Sequence, residues 1–253
     1  LYVPPLSTYK VETFAGSFLE SNSRLDVLVN NAGGMPAERT ESAQGHEAIM
    51  ATMLGGTYLL TKLLLPALEK AAMAAEESTT AAATSAEEGA ESRPGGGKRG
   101  ARVINVSSGG MYTVSGAGIA ADLDSKGVDP YDGTVVYALA KRAQVTLTER
   151  WAALHKDGGV SFNSMHPGWC DTPGLASGMP DFRERQQGSL RSSEEGSDTI
   201  VWLACSRAAF GETGKFWFDR KAARTHMPLA GTRMSHKQEN DLWEAVERVC
   251  SER

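Results

Sequence analysis

The sequence predicts an α/β fold with a doubly wound, mainly parallel sheet. Short runs rich in β-branched residues alternate with longer segments of helical period almost throughout the chain. Three of these runs end in small or polar residues, at Asn30–Gly34, Ser107–Gly110 and His166–Gly168. Ligands of open α/β sheets bind at such strand ends. The 253 residues suit one domain, and a hydrophobic content of 41% suffices for its core.

Helices and strands follow one another in a regular order. Leu1–Val3 looks like the end of a strand that the next two prolines terminate. Ser192 with Glu195, and Ser235 with Gln238, have the spacing of capping boxes at helix starts. The predicted elements are a helix over Leu6–Ser21 with Ser7 as its N-cap, a strand over Leu25–Val29, a helix over about Gly45–Lys70, a strand over Val103–Val106, a helix over about Val135–His155, a strand over Val160–Met165, a helix containing Ile200–Leu203, a last strand over Lys215–Phe218 and a C-terminal helix from Ser235.

The segment over residues 71–100 differs from the rest of the chain. It is rich in Ala, Glu, Ser and Thr, has no aromatic residue and ends in the glycine-rich stretch Pro94–Gly100. Because it has little to bury, we predict a disordered insertion within a single domain that spans residues 1–253, although its first part could prolong the preceding helix. A phosphate-binding G-x-x-x-x-G-K-[ST] loop is excluded, since Ser92 and Arg99 occupy two of its defining positions.

Charge and composition exclude several function classes. The formal net charge is −5 and no basic patch stands out, which argues against nucleic-acid or anionic-membrane binding. The sequence contains no run of eighteen apolar residues, so it predicts no membrane span. Three widely spaced cysteines without a C-x-x-C pair favour a reducing, intracellular compartment such as the cytoplasm. The five histidines lack metal-ligand spacing, so we expect no metal site.

Tyr137 and Lys141 form a chemically suggestive pair on the long helix. Their spacing of four residues places them on one face, about one turn apart. An ammonium group near a phenol stabilises its phenolate and lowers its pKa from about 10. A nearby serine hydroxyl could hydrogen-bond a substrate carbonyl as charge develops on its oxygen. Alone, however, Tyr-x-x-x-Lys is common by chance and equally fits a half-buried tyrosine beside a solvated lysine.

The combination of motifs is more specific. Asn30–Gly33 after one strand, Val106–Ser108 after the next, Tyr137–Lys141 and then Pro167-Gly168 with Thr172 resemble the short-chain dehydrogenase/reductase family over nearly the whole chain. The resemblance implies a Rossmann-like fold that lacks its first β-α-β portion. Four segments narrow it to one member of the family: Val106–Met111, Asp132–Tyr137, Leu147–Trp151 and Ser164–Trp169.

The resemblance implies an NAD(P)(H)-dependent oxidoreductase that interconverts a carbonyl and an alcohol. Ser108, rather than Ser107, would polarise the carbonyl, Tyr137 would act as general acid or base, and Lys141 would lower the Tyr137 pKa and hold the nicotinamide ribose. The cofactor would be NADP or NAD and the substrate a small molecule, and the resemblance leaves a homo-oligomer open. The residues implied to bind cofactor are Asn30, Asn31, Ala32, Gly33, Tyr137, Lys141, Pro167, Gly168 and Thr172.

Three departures from the family pattern leave alternatives open. The glycine loop T-G-x-x-x-G-x-G is missing, and because the chain begins at Leu1 we expect an N-terminal truncation on the order of seventy residues. Pro5 replaces an Asp near the adenine, and Met53 replaces the Asn whose bound water relays protons, unless Thr52 or water compensates. An impaired or inactive binding protein of the same fold is the main alternative, and an epimerase or dehydratase using the Tyr/Lys pair is the third.

Overall fold

The computed structural model describes residues 7–85 and 100–251, with side chains described up to residue 78 in the first of these ranges. The strand predicted over Leu1–Val3, Pro5 and most of the glycine-rich stretch lie outside the described residues.

Eight helices and five strands make up the described part of the chain. The helices are α1 Thr8–Ser21, α2 Ala48–Met50, α3 Thr57–Ser85, α4 Gly133–Leu154, α5 Pro173–Gly178, α6 Pro180–Arg185, α7 Ser193–Cys205 and α8 His236–Ser251. A π-helical turn, Ala51–Gly56, joins α2 to α3. The strands are β1 Val27–Asn30, β2 Ala101–Val106, β3 Val160–Met165, β4 Phe216–Phe218 and β5 Lys221–Ala223.

The sheet is mainly parallel, as predicted. Its strand order is β1-β2-β3-β4-β5, with parallel pairing up to β4 and an antiparallel β4–β5 hairpin at the edge. Asn30 lies level with Asn105, and Val106 with Met165. The turns after β1, β2 and β3 therefore lie together at the carboxyl ends of the strands, where ligands of such sheets bind. This end of the sheet is called the sheet edge below.

Helices cover both faces of the sheet. On one face, α3, α4 and α8 pack with Val103 and Phe162 into the largest hydrophobic cluster. On the other face, α7 packs against Ile104 and Met165. Val103 and Ile104 are neighbours on β2 and point to opposite faces, and all six residues of that strand are buried. Such a strand, buried on both faces, is typical of a parallel sheet in an α/β fold.

The predicted helix starts are confirmed. The Ser7 Oγ accepts a hydrogen bond from the Lys10 backbone N–H at 3.2 Å. Ser192 and Glu195 form a complete capping box at α7. At α8, the Ser235 backbone N–H donates to the Gln238 side chain at 2.8 Å. Each contact satisfies an amide that helix geometry leaves without an internal partner.

The first part of the 71–100 segment prolongs the preceding helix, which the sequence left open, whereas the prediction of the last strand was wrong. Helix α3 continues to Ser85, and Ala71 and Ala72 are each 1% exposed, so ordered structure extends well past residue 71. Alanine has the highest helix propensity, and these two small side chains pack into the core. Strand β4 is not the last strand, because a turn at Asp219-Arg220 returns the chain as β5. Helices α5 and α6 were not predicted either, since they are only six residues long.

One described helical stretch, Ala48–Ser78, is long and apolar enough to cross a bilayer by length and composition alone. Within this stretch, 56% of the most apolar 18-residue segment is buried inside the protein. That burial is what a core helix of a globular domain shows, and it weakens the case for a membrane span.

Candidate active site

Ser108, Tyr137 and Lys141 come together at the sheet edge. Ser108 follows β2, and α4 packs against β2 and β3 with its N-terminus capped by the Asp132 carboxylate. The Ser108 side chain lies beside the Tyr137 phenol and acts to lower its pKa. The Lys141 Nζ lies 5.4 Å from the centroid of the Tyr137 ring. The three predicted catalytic side chains thus share one cluster.

The two adjacent serines have different partners. The buried Ser107 hydroxyl donates to the Lys141 backbone carbonyl at 2.9 Å and ties β2 to α4. The partly buried Ser108 Oγ accepts from the Gly110 backbone N–H at 3.1 Å and faces Tyr137. This geometry favours Ser108 over Ser107 as the serine that meets a substrate.

Burial dominates the pKa values of the tyrosine and the lysine. Burial raises the pKa of Tyr137, and the hydrogen bond from Ser108 opposes this only in part. Burial lowers the pKa of Lys141 to about 7. The Lys141 ammonium donates to the Val106 backbone carbonyl at 2.7 Å. Burial and Ser108 account for the shift of the Tyr137 pKa, and the Lys141 ammonium is engaged by the strand carbonyl. Acidification of Tyr137 by Lys141 therefore stays a prediction.

Asn30 has a structural position at the end of β1. Its amide donates to the Thr61 hydroxyl at 3.1 Å and to the Asn105 side-chain oxygen at 2.8 Å. Asn105 in turn donates to the Thr148 hydroxyl on α4 at 2.8 Å. This buried chain joins β1 and β2 to the helices that cover them. The Asn30 side chain therefore supports the sheet.

Asn31, Ala32 and Gly33 continue from β1 towards solvent. Asn31 and Ala32 are exposed, and Gly33 is partly buried. A cavity of about 170 Å³ lies beside them, lined partly by Asn30, Ala32 and Thr52. The residues that follow β1 therefore border open space at the carboxyl end of the sheet.

Met53 fills the space beside Gly33. A Cβ on Gly33 would lie 2.5 Å from the Met53 Cε, so the Met53 side chain packs directly against this glycine and would have to shift for a larger residue. Met53 lies in the π-helical turn, and its carbonyl accepts from the Gln144 side chain at 2.6 Å. The contact of Gln144, three residues after Lys141, was not predicted from the sequence, because a single glutamine in a helix belongs to no recognisable motif. Thr52 borders the cavity rather than this contact.

Pro167, Gly168 and Thr172 form a loop next to the Ser108 turn. Gly168 has φ of +80°, a conformation that favours glycine, and its N–H donates to the His166 Nδ1 at 3.3 Å. A Cβ on Gly109 would lie 3.7 Å from the His166 ring, which shows that the two segments touch. The Thr172 Oγ caps α5 by accepting from Leu175 N at 3.2 Å.

The donors at this edge fit the nicotinamide half of a dinucleotide. Within residues 7–85 and 100–251, the Lys141 Nζ bonds Val106 O alone, which leaves two of its three donors for a ribose diol. The Thr172 hydroxyl accepts one bond and still has its proton to donate. The 253 residues contain no T-G-x-x-x-G-x-G loop for a pyrophosphate. The fit therefore concerns the nicotinamide riboside part.

Sequence comparison decides the family. The chain is 40% identical over 252 residues to Homo sapiens dehydrogenase/reductase SDR family member 12, covering 99% of this chain and 69% of that protein. The chain belongs to the short-chain dehydrogenase/reductase family. The four segments that narrowed the resemblance pointed to this same member. Mus musculus retinol dehydrogenase 14 is 27% identical over 249 residues, covering 95% of this chain and 64% of that protein.

Solved structures show that this family member has the expected fold. A protein from Mycobacterium paratuberculosis superposes with a TM-score of 0.62 at 18% identity, covering 96% of this chain and 72% of that one. A 3-ketoacyl-(acyl-carrier-protein) reductase from Brucella melitensis, complexed with NADH, gives a TM-score of 0.55 at 19% identity, covering 83% and 72%. No family model matches the chain.

Proposed function

We propose that this family member is an NAD(P)(H)-dependent oxidoreductase that interconverts a carbonyl and an alcohol. The observation that carries the proposal is the cluster in which Ser108 lies beside the Tyr137 phenol and Lys141 lies beside the same ring. Relatives named as retinol and polyprenol dehydrogenases, at 27% and 30% identity, support the reaction class.

The chemistry of each side chain follows from its position. A substrate carbonyl oxygen between the Ser108 and Tyr137 hydroxyls would accept a hydrogen bond from each. In reduction Tyr137 donates its proton to that oxygen, and in oxidation it takes the proton back. In its protonated form, Lys141 would stabilise the phenolate that remains, since its Nζ lies 5.4 Å from the ring centroid. A bound nicotinamide cofactor supplies or accepts the hydride.

The cofactor class, the compartment and the partners belong to the same proposal. Proteins of this fold have been solved with NADH and, for a carbonyl reductase from chicken fatty liver, with NADPH. Cys170, Cys205 and Cys250 are free thiols, which supports a reducing, intracellular compartment. The substrate would be a small carbonyl or alcohol compound, and a homo-oligomer is the proposed assembly.

A non-catalytic protein of the same fold is the second candidate. Met53 favours it, because a thioether packed against Gly33 cannot hold a relay water as an asparagine would. Such a protein would bind a nucleotide weakly and would turn over no carbonyl substrate. Turnover by the wild-type protein therefore separates the two candidates.

Replacement of the phenol tests the proposal. We expect Tyr137→Phe to lower kcat/KM for carbonyl reduction by about 10²–10⁴-fold, measured as NADPH or NADH oxidation, while cofactor binding persists. Tyr9→Phe is the matched control, because that phenol is on α1 and 71% exposed. Wild-type turnover that survives in Tyr137→Phe would overturn the mechanism, and a wild-type protein without turnover would favour the binding protein.

A further inference from the structure

Arg191 connects the Pro167–Thr172 loop to the β4–β5 hairpin. Its Nη1 and Nη2 donate to the two carboxylate oxygens of Asp219 at 2.6 Å and 2.8 Å. The same Nη1 also donates to the Pro167 carbonyl at 3.1 Å. A guanidinium group binds a carboxylate in this forked way with a fixed orientation. Arg191 therefore holds the Pro167 peptide at a defined place relative to the hairpin.

The loop backbone follows the shape of the Arg191 side chain. A Cβ on Gly168 would lie 2.8 Å from the Arg191 Nε, so a larger residue there would displace the guanidinium. The Arg191 main chain also pairs with the loop, since its N–H donates to Trp169 O at 2.8 Å and its carbonyl accepts from Asp171 N at 2.9 Å. Side chain and backbone thus hold three successive parts of the loop.

The aromatic ring of Phe218 packs against both Arg191 and the residue that precedes the loop. The Arg191 guanidinium carbon lies 4.9 Å from the centroid of that ring. The His166 ring, immediately before Pro167, stacks on Phe218 at 4.1 Å with an interplanar angle of 6°. Cation–π and stacking contacts of this kind restrict the orientation of both partners.

The hairpin that holds Arg191 is itself held. Asp219 and Arg220 have φ of 48° and 59°, a left-handed conformation that non-glycine residues rarely adopt. Arg220 forms a forked ion pair with Asp198 on α7, and its N–H donates to the Thr199 hydroxyl at 3.1 Å. These contacts hold the strained turn in place, so Asp219 is presented to Arg191 in one orientation.

We propose that Arg191, held by Asp219, is a positioning residue that sets the Pro167–Thr172 loop against the nicotinamide end of the cofactor. The inference rests on the proposed function, which assigns that loop to the nicotinamide. Arg191 itself need not touch the cofactor. It fixes the Pro167 and Gly168 peptides, and a displacement of about 1 Å in such a positioning group is enough to lower a rate up to about 100-fold.

Paired ligands separate this role from a general structural one. Binding of NADPH or NADH, whichever the wild-type protein prefers, is compared by calorimetry with binding of the corresponding ADP-ribose compound, which lacks only the nicotinamide ring. We expect Arg191→Gln to weaken dinucleotide binding about tenfold and to leave ADP-ribose binding unchanged. Asp219→Asn should act in the same direction but less strongly, because the Pro167 bond remains possible. Arg191→Lys should recover little, since an ammonium cannot reproduce the fork.

Arg24→Gln is the matched control, because Arg24 also makes a forked pair, with Asp26, but lies at the start of β1. Equal weakening of the dinucleotide and of ADP-ribose in Arg191→Gln would overturn the positioning role, as would unchanged binding of both. A wild-type protein that binds the dinucleotide but shows no carbonyl turnover would defeat the proposed function by itself. A wild-type protein that binds no dinucleotide would defeat both.

Discussion

Two parts of the candidate site are held in opposite ways. Beside Ser108 and Tyr137, Lys141 is held by buried hydrogen bonds that join it to Val106 and Ser107 at the end of β2. The loop after β3 is held by the surface ion pair of Arg191 and Asp219, whose side chains are 30% and 50% exposed. The buried hydrogen bonds keep the ionisable groups of the cluster away from water, whereas the ion pair keeps its two charges exposed to water.

The pKa values differ accordingly. Burial raises the pKa of Tyr137 and lowers that of Lys141, so the ionised forms of both are disfavoured. The hydrogen bond between Arg191 and Asp219 lowers the pKa of the Asp219 carboxyl and raises that of the guanidinium, so both ionised forms are favoured. Groups whose pKa is shifted by desolvation in a cleft suit proton transfer, whereas stably charged pairs suit positioning.

Removal of the buried charge gives the largest expected effect. We expect Lys141→Met to lower kcat/KM by about 10²–10⁴-fold, because the phenolate loses its neighbouring charge. The same variant should unfold at no lower temperature at pH 6, since burial disfavours the ammonium and methionine fills similar space. Matched kinetic and calorimetric measurements check both expectations.

The pH dependence sharpens that test. With a pKa near 7 in the folded state, Lys141 is neutral between about pH 7 and its unfolded pKa, while the unfolded chain stays protonated. Wild-type stability should therefore gain from this group as pH rises through that window, and the advantage of Lys141→Met should shrink. A lower unfolding temperature of Lys141→Met at pH 6 would show that the Val106 hydrogen bond outweighs the burial cost.

The sequence predicted the buried half of the site better than the loop that borders it. Tyr137 and Lys141 are four residues apart on a helix that the spacing of apolar residues predicts, and Ser108 directly follows an apolar strand. Local sequence patterns were therefore enough to predict that the three side chains lie at the same end of the sheet. Arg191 and Asp219 are 28 residues apart, and their pairing depends on the hairpin turn at Asp219-Arg220. That turn contains no glycine that would have predicted it from the sequence. Long-range contacts of this kind leave no periodic signal.

Asn30 and Asn31 allow a direct comparison of buried and exposed amides. Asn30→Ala leaves the Asn105 side-chain oxygen without its donor in the core, which we expect to cost about 1–3 kcal/mol in the free energy of unfolding. Asn31→Ala, on the exposed neighbour, should change it by less than about 0.5 kcal/mol. Denaturant titration measures both. Equal effects would contradict the assignment of Asn30 to a buried network.

The extent of helix α3 shows what composition conceals. The sequence left residues 71–85 open between a disordered insertion and a continuation of the preceding helix, because alanine, serine and glutamate carry little hydrophobic signal. Ala72 nevertheless packs against the backbone near Gly159, where a Cβ would come within 3.0 Å of it. Small residues are buried when a neighbouring turn comes close, and that approach is decided by tertiary structure rather than by local pattern.

Glu149, on the far half of α4, tests whether burial alone governs this side of the molecule. Burial raises its pKa to about 7, against a hydrogen bond from Thr225 that lowers it. Between about pH 4.5 and 7 the folded state therefore keeps a proton that the unfolded chain has lost, and stability falls as pH rises, by at most about 1.4 kcal/mol per pH unit.

We expect Glu149→Gln to remove that slope and to be more stable than the wild type at pH 8, while the two are similar at pH 4. Gln keeps an oxygen that can accept from Thr225, so the comparison isolates the charge. Glu244→Gln, on an exposed position of α8, is the control and should follow the wild-type profile. Thermal unfolding across pH 4–8 gives the profiles. An unchanged slope in Glu149→Gln would mean that Arg142 and Arg233, which lower this pKa, compensate for burial more fully than the packing of α4 implies.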